Sequence, residues 1–161
     1  WWVKDASFDQ TIRRRYEALL HSAIKGELYL WRQQALGRLA EVIVLDQFSR
    51  NIYRDDARAF SADPTALVLA QEAIQQNAHE ELSIEQKKFL FMPFMHSESP
   101  VIHELAVELF SLPGLEDNLD FELKHKVIID RFGRYPHRNQ ILDRDSTEAE
   151  IYFLKQPGSS F

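Results

Sequence analysis

Apolar residues recur along this chain at steps of three and four, the period of a helix packed on one side. Phe8, Ile12, Tyr16, Leu19 and Ala23 form the first such stripe. Ser7 and Gln10 are spaced as a capping box at its start, and Gly26 supplies a left-handed stop. A second helix is expected over about Gln33 to Phe48. Leu36, Leu39, Ala40, Val42, Ile43, Val44 and Leu45 make it apolar almost all round, which marks it as the central helix. Asp63-Pro64 reads as an N-cap followed by proline at the first helical position, opening a third helix to about Gln76. Ser83 and Gln86 cap a fourth, which runs to about Phe91 before Pro93 disturbs it. Ser99-Pro100 opens a fifth, closed by Pro113-Gly114. A sixth covers about Leu119 to Phe132 and stops at Gly133. Ser146, or Thr147 with Glu150, caps a short seventh.

No alternating strand pattern competes, and no Asn-Gly or Asp-Gly hairpin turn is present. The fold class is therefore all-α, a set of antiparallel helical hairpins forming either a compact bundle of about seven helices or an α-α superhelix. The spacing between hairpins is uneven, so no strict 34-residue repeat is visible.

Composition narrows the function classes. At 161 residues the chain fits a single helical domain over 1–161. It opens on Trp1-Trp2 without an initiator methionine, so preceding residues are expected. Trp1, Trp2 and Trp31 read as packing anchors. A net charge of −6 gives no broad basic face for nucleic acid. The absence of cysteine excludes disulfides, thiolate zinc sites and cysteine nucleophiles, and suits a reducing cytoplasm. No apolar run approaches the roughly 20 residues that span a bilayer.

Against this acidic background, Arg131 to Arg144 holds four arginines and one carboxylate, Asp143, with His137 and Asn139 in the same stretch. Chain direction says where that cluster lies. In an antiparallel array, even-numbered helices all end at one pole. LDQFSRNIYR (Leu45 to Arg54) closes the second helix, MPFMHSE (Met92 to Glu98) the fourth and RFGRYPHRN (Arg131 to Asn139) the sixth. The three stretches should converge, joined by Arg144. Asp46 follows Leu39, Val42 and Ile43 at helical spacing, so its carboxylate lies on or beside the core face and needs a cation. An arginine from Pro136–Asn139 is the expected partner. Arg131 and His125 also fall in register with apolar positions of the sixth helix.

LDQFSRNIYR, FLFMPFMHSE, RFGRYPHRN and LDRDSTEAE together resemble a bacterial family catalogued as domain of unknown function 924. The resemblance covers essentially the whole chain and implies a tetratricopeptide-like all-α array. The family pattern often has proline at the position of Ser49 and phenylalanine at Tyr135, and it tends to have glycine where this chain has Asp143. It implies no activity.

Three readings of the polar cluster follow from its residue types. In the structural one, Arg50, Arg54, Arg134, Arg138 and Arg144 bond helix-terminal carbonyls, while Asn51 and Asn139 cap turns. In the binding one, these groups with Asp46, Gln47, His96, Glu98, Arg131 and His137 hold a small anion or a peptide carboxylate. Phe48, Tyr53, Phe94, Phe132 and Tyr135 would then form the walls. In the enzymatic one, His96 or His137 is the base of a hydrolase and Glu98 or Asp46 its orienter. A metal held by His96, Glu98, His103 and His137 is disfavoured by the neighbouring arginines, and no cofactor motif is present.

Overall fold

The computed structural model describes residues 5–160, so the expectations for Trp1 and Trp2 fall outside the described residues. The chain divides into two compact units, the first ending at Ser97 and the second starting at Glu98. The expected helices are present, with no strand among the described residues. They are α1 (Ala6–Ile24), α2 (residues 35–52), α3 (Asp63–Gln75), α4 (Ile84–Met95), α5 (Pro100–Phe110), α6 (Glu116–Phe132) and α7 (Glu148–Phe153). None of them is long and apolar enough to cross a membrane.

In the first unit, α2 packs against α1, α3 and α4, as its apolar circumference predicts. It is not uniform. An α-helical start (Ala35–Ile43) passes into a π-helical turn (Val44–Phe48) and back to α over Ser49–Ile52. The Ser49 hydroxyl donates to the carbonyls of Leu45 and Asp46 at 2.6 and 3.1 Å, supplying donors beside the altered ladder. Leu39, Val42, Val44 and Leu45 are buried, whereas Leu36 faces solvent. Val44, Leu45, Ile52 and Tyr53 join Ile12, Leu20 and Ala23 of α1 in one core cluster. α3 meets its neighbours through Ala66, Ala70 and Ala73, each fully buried.

Several helix boundaries differ from the pattern for physical reasons. Asp5, not Ser7, caps α1, its carboxylate accepting from the amides of Ser7 and Phe8 at 2.8 and 3.1 Å. Ala62 is the N-cap of α3, because Asp63 pairs with Arg50 instead. α4 carries Pro93 inside it and runs on to Met95, with Pro93 buried in the core. The capping boxes of Ser83 with Gln86 and Thr147 with Glu150 both form. Trp31 is more than one-third exposed; its backbone, rather than its ring, makes the close contact, against Gly37.

In the second unit, α5 and α6 form a hairpin joined by the short turn after Phe110. Gly133 ends α6 in the left-handed conformation, φ 68°. Pro136–Arg138 then makes a short 3₁₀ turn. Ile128, Ile129 and Tyr135 are buried together, with Phe132 and Phe153 packed against them.

Candidate functional site

The ends of α2 and α4 meet in the first unit, as the alternating course of the helices requires. The Asp46 side chain comes from the π turn and is 1% exposed; His96, the C-cap of α4, is 16% exposed. Their atoms Oδ1 and Nδ1 lie 2.7 Å apart. The Gln47 amide donates to Oδ2 at 2.6 Å and also contacts the Met92 sulfur at 3.2 Å. Arg50 lies 3.2 Å from Oδ1, donates to the Asp46 carbonyl at 2.6 Å, and grips Asp63 with two bonds of 2.8 Å. Thus a guanidinium against Asp46 comes from Arg50, one helical turn away.

These contacts set the charges. Burial alone would raise the Asp46 carboxyl, but Arg50, His96 and Gln47 outweigh it and hold it well below the ordinary carboxylate range. His96 is pushed down, first by burial and then by Arg50, against the opposing pull of Asp46. A neutral His96 therefore donates Nδ1–H to an ionised Asp46, which leaves Nε2 with its lone pair. No hydrogen bond engages Nε2 within the described residues, and that atom is not sealed in the core.

The rest of the LDQFSRNIYR stretch serves packing. Asn51 donates to Asp9 at 2.8 Å rather than capping a turn. Arg54 clasps the same carboxylate with two donors, tying α2 back to α1.

Within the second unit, RFGRYPHRN and Glu98 form a cluster. Arg144 grips Glu98 at 2.6 and 3.0 Å, and the Tyr135 amide donates to Glu98 at 2.7 Å. Against the effect of burial, these donors keep the Glu98 carboxyl below its usual range. Glu98 thus accepts from both Arg144 and Tyr135. Arg134 clasps the buried Glu150 at 2.7 and 2.8 Å and reaches the Asp145 carbonyl. Asn139 accepts from Arg144 and donates to Ser146, each at 3.0 Å. Arg138 is buried with its guanidinium 4.5 Å from the centre of the Tyr135 ring. Burial, then Arg138, push His137 down to about 4. Arg131 is exposed, not on the packed side of α6, and lies over Phe132 and Phe153. Of the expected aromatic walls, Tyr53, Phe94 and Tyr135 are core residues.

One arrangement escaped the sequence reading. His103 of α5 and Glu122 of α6 are fully buried and meet at 2.6 Å, with Tyr135 Oη 3.3 Å from His103 Nε2. The available signal was the i, i+3, i+7 register of Glu122 with His125 and Ile129. It places a carboxyl on the core stripe. Among the described residues, no three His, Cys, Asp or Glu side chains group as a metal site would require.

The family model described as bacterial protein of unknown function (DUF924) matches residues 1–158. Among curated proteins, none matches the chain. A solved structure of a protein of unknown function from Agrobacterium tumefaciens is 36% identical, covering 96% of this chain and 88% of that one, with a TM-score of 0.90. Helical architecture, motif order and full-length match agree: the chain belongs to the DUF924 family of bacterial proteins.

Proposed function

We infer that the ends of α2 and α4 form a general-base site for hydrolysis, with His96 as the base and Asp46 as its orienter. One observation carries this reading: a buried, ionised carboxylate holds Nδ1 of a histidine whose Nε2 is unengaged. That is the division of labour in histidine-based hydrolysis. Nε2 takes a proton from water as the oxygen attacks an ester or phosphoester. Asp46 stabilises the imidazolium that forms, and the proton passes to the leaving group. Gln47 and Arg50 keep Asp46 charged and fixed. Asp46 and Gln47 also sit in the π turn, a local distortion that recurs at functional sites.

Binding of a small anion or peptide carboxylate draws less support. Arg50, Arg54, Arg134 and Arg144 are each engaged bidentately by a carboxylate.

The test is initial-rate hydrolysis of 4-nitrophenyl acetate and 4-nitrophenyl phosphate by wild type, His96→Gln and Asp46→Asn. Circular dichroism establishes that each variant is folded. Wild type should exceed buffer with at least one substrate, and His96→Gln should lose about 10²- to 10⁴-fold of that rate. Equal rates in wild type and His96→Gln, or no wild-type turnover of either ester, would refute the assignment.

A further inference from the structure

The two units contain the same pairing, histidine Nδ1 against a carboxyl oxygen, in opposite surroundings. In the first, Asp46 has Arg50 for charge and Gln47 for its second oxygen. In the second, Glu122 has His103 as its hydrogen-bond partner. Its other oxygen, Oε2, is buried without a hydrogen-bond partner. Both Glu122 and His103 are fully buried.

An orphaned carboxylate oxygen in a core carries a large share of an uncompensated charge, whereas the carbonyl oxygen of a neutral acid leaves only a polar atom unmatched. We propose that Glu122 is a neutral carboxylic acid in the folded protein, donating its proton to His103 Nδ1, and that this proton is a pH-sensitive latch between α5 and α6. His103 then carries its own hydrogen on Nε2, directed at Tyr135 Oη, 3.3 Å away. The latch thereby links α5, α6 and the turn after Gly133.

The charged and titratable groups around the pair agree with this assignment. Lys126, on α6, is already shared between Glu104 of α5 and Asp130, at 2.8 Å from each. It is therefore matched by two carboxylates before Glu122 is counted. Burial above all, and more weakly Asp130, favour the protonated form of Glu122, and its carboxyl is raised above the ordinary value despite the pull of His103 and Lys126. The remaining titratable neighbours, His125 and Tyr135, meet edge to face with ring centres 5.7 Å apart, and His125 Nδ1 lies 2.7 Å from the Phe121 carbonyl.

A proton retained on folding makes stability depend on pH. Glu122 is raised, so its contribution is complete below about pH 4.5 and is lost as pH rises through the folded titration point. Above about pH 6.5, where a free glutamate and a free histidine are both deprotonated, folding of the pair takes up one proton. Up to the folded titration point, the unfolding constant then grows by as much as tenfold per pH unit.

The experiment is infrared spectroscopy of the full chain at pH 7, supported by carbon-13 NMR of protein labelled at the glutamate carboxyl carbon. A protonated-acid carbonyl band should be present in wild type and missing from Glu122→Gln. One glutamate carboxyl resonance should stay at the protonated position. From pH 7 upward the urea-unfolding constant should rise with pH more steeply in wild type than in the variant, by up to tenfold per pH unit until the folded Glu122 titrates. If Glu122→Gln does not fold, the wild-type carbon-13 spectrum decides alone. Ionised positions for every glutamate carboxyl would overturn the proposal, whether His103 is then neutral or an imidazolium.

Discussion

Replacing Gly37 by alanine tests the packing of α2 through the sign of its effect. In an ordinary helix this change stabilises by about 0.5–1 kcal/mol, because glycine loses more backbone freedom on folding. Here a Cβ would overlap the Trp31 carbonyl oxygen and lie 2.8 and 3.1 Å from the Trp31 carbonyl carbon and Cα. All three are backbone atoms of the Tyr29–Gln33 turn, so no rotamer change relieves the clash. The turn must move as a body. Arg32 belongs to it, and its guanidinium clasps Glu41 with two bonds of 2.7 Å while Glu41 is 1% exposed. Overpacking costs about 1–3 kcal/mol. Stranding a buried carboxylate outright costs about 3–5 kcal/mol, of which a displaced turn loses only part. After the propensity gain is subtracted, the net destabilisation is about 2–4 kcal/mol. The assay is urea unfolding at pH 7, where a slope near 2 kcal/mol/M turns this into a midpoint shift of about 1–2 M. Combining Gly37→Ala with Glu41→Gln should cost less than the sum of the two singles, because both act through one ion pair. A Gly37→Ala protein as stable as wild type, or more so, would refute the reasoning.

Asp143 holds φ 52°, in the left-handed region that favours glycine. Asp143→Gly should therefore raise stability by about 0.5–1 kcal/mol in the same urea assay. His137 titrates at about 4 when folded and near 6.5 when free, so the unfolded chain takes up its proton first as pH falls. Its contribution should be intact above pH 6.5 and decline towards pH 4, by at most ~3 kcal/mol given its partial exposure. His137→Gln should lack that decline, and the His137 ring signals in NMR should show a midpoint near 4. Asp46→Asn should cost about 1–3 kcal/mol at pH 7, since a neutral amide replaces the charge that faces Arg50 and accepts from His96, while Asp63 still holds Arg50. Because the Asp46 carboxyl is depressed, the difference from wild type should shrink as pH falls below about 3.8.

Helix count and caps were legible because they are local. Ser83 with Gln86, Thr147 with Glu150, and the left-handed Gly26 and Gly133 each act within a few residues. The pairing of carboxylates was not, since each had several eligible arginines and only the fold chooses. Asp9 finds Arg54 across 45 positions, and Asp63 leaves its expected cap for Arg50. The Asp46–Arg50 spacing of four is a readable local signal, but by charge alone the arginines beyond Gly133 are equally eligible. The π turn was hidden because Val42, Ile43, Val44 and Leu45 are all apolar, and an unbroken apolar run carries no phase. That Arg131 lies on the exposed side of α6 follows from its fit over the rings of Phe132 and Phe153.

The wide turn at Val44–Phe48 gives α2 a deletion scar in reverse. Five residues at the wider winding carry the chain about as far round as four in an α-helix, so removing one from Val44–Phe48 would close the turn into uniform α winding and leave the residues after it nearly in phase. Asn51 and Arg54 would still face Asp9, and only the residues inside the turn, Asp46 among them, would change their aim. The same deletion in the uniform winding of Ala35–Ile43 would instead swing everything after it by about 100°. One residue of length is therefore tolerated at this turn at the expense of the Asp46–His96 contact, and nowhere else along α2.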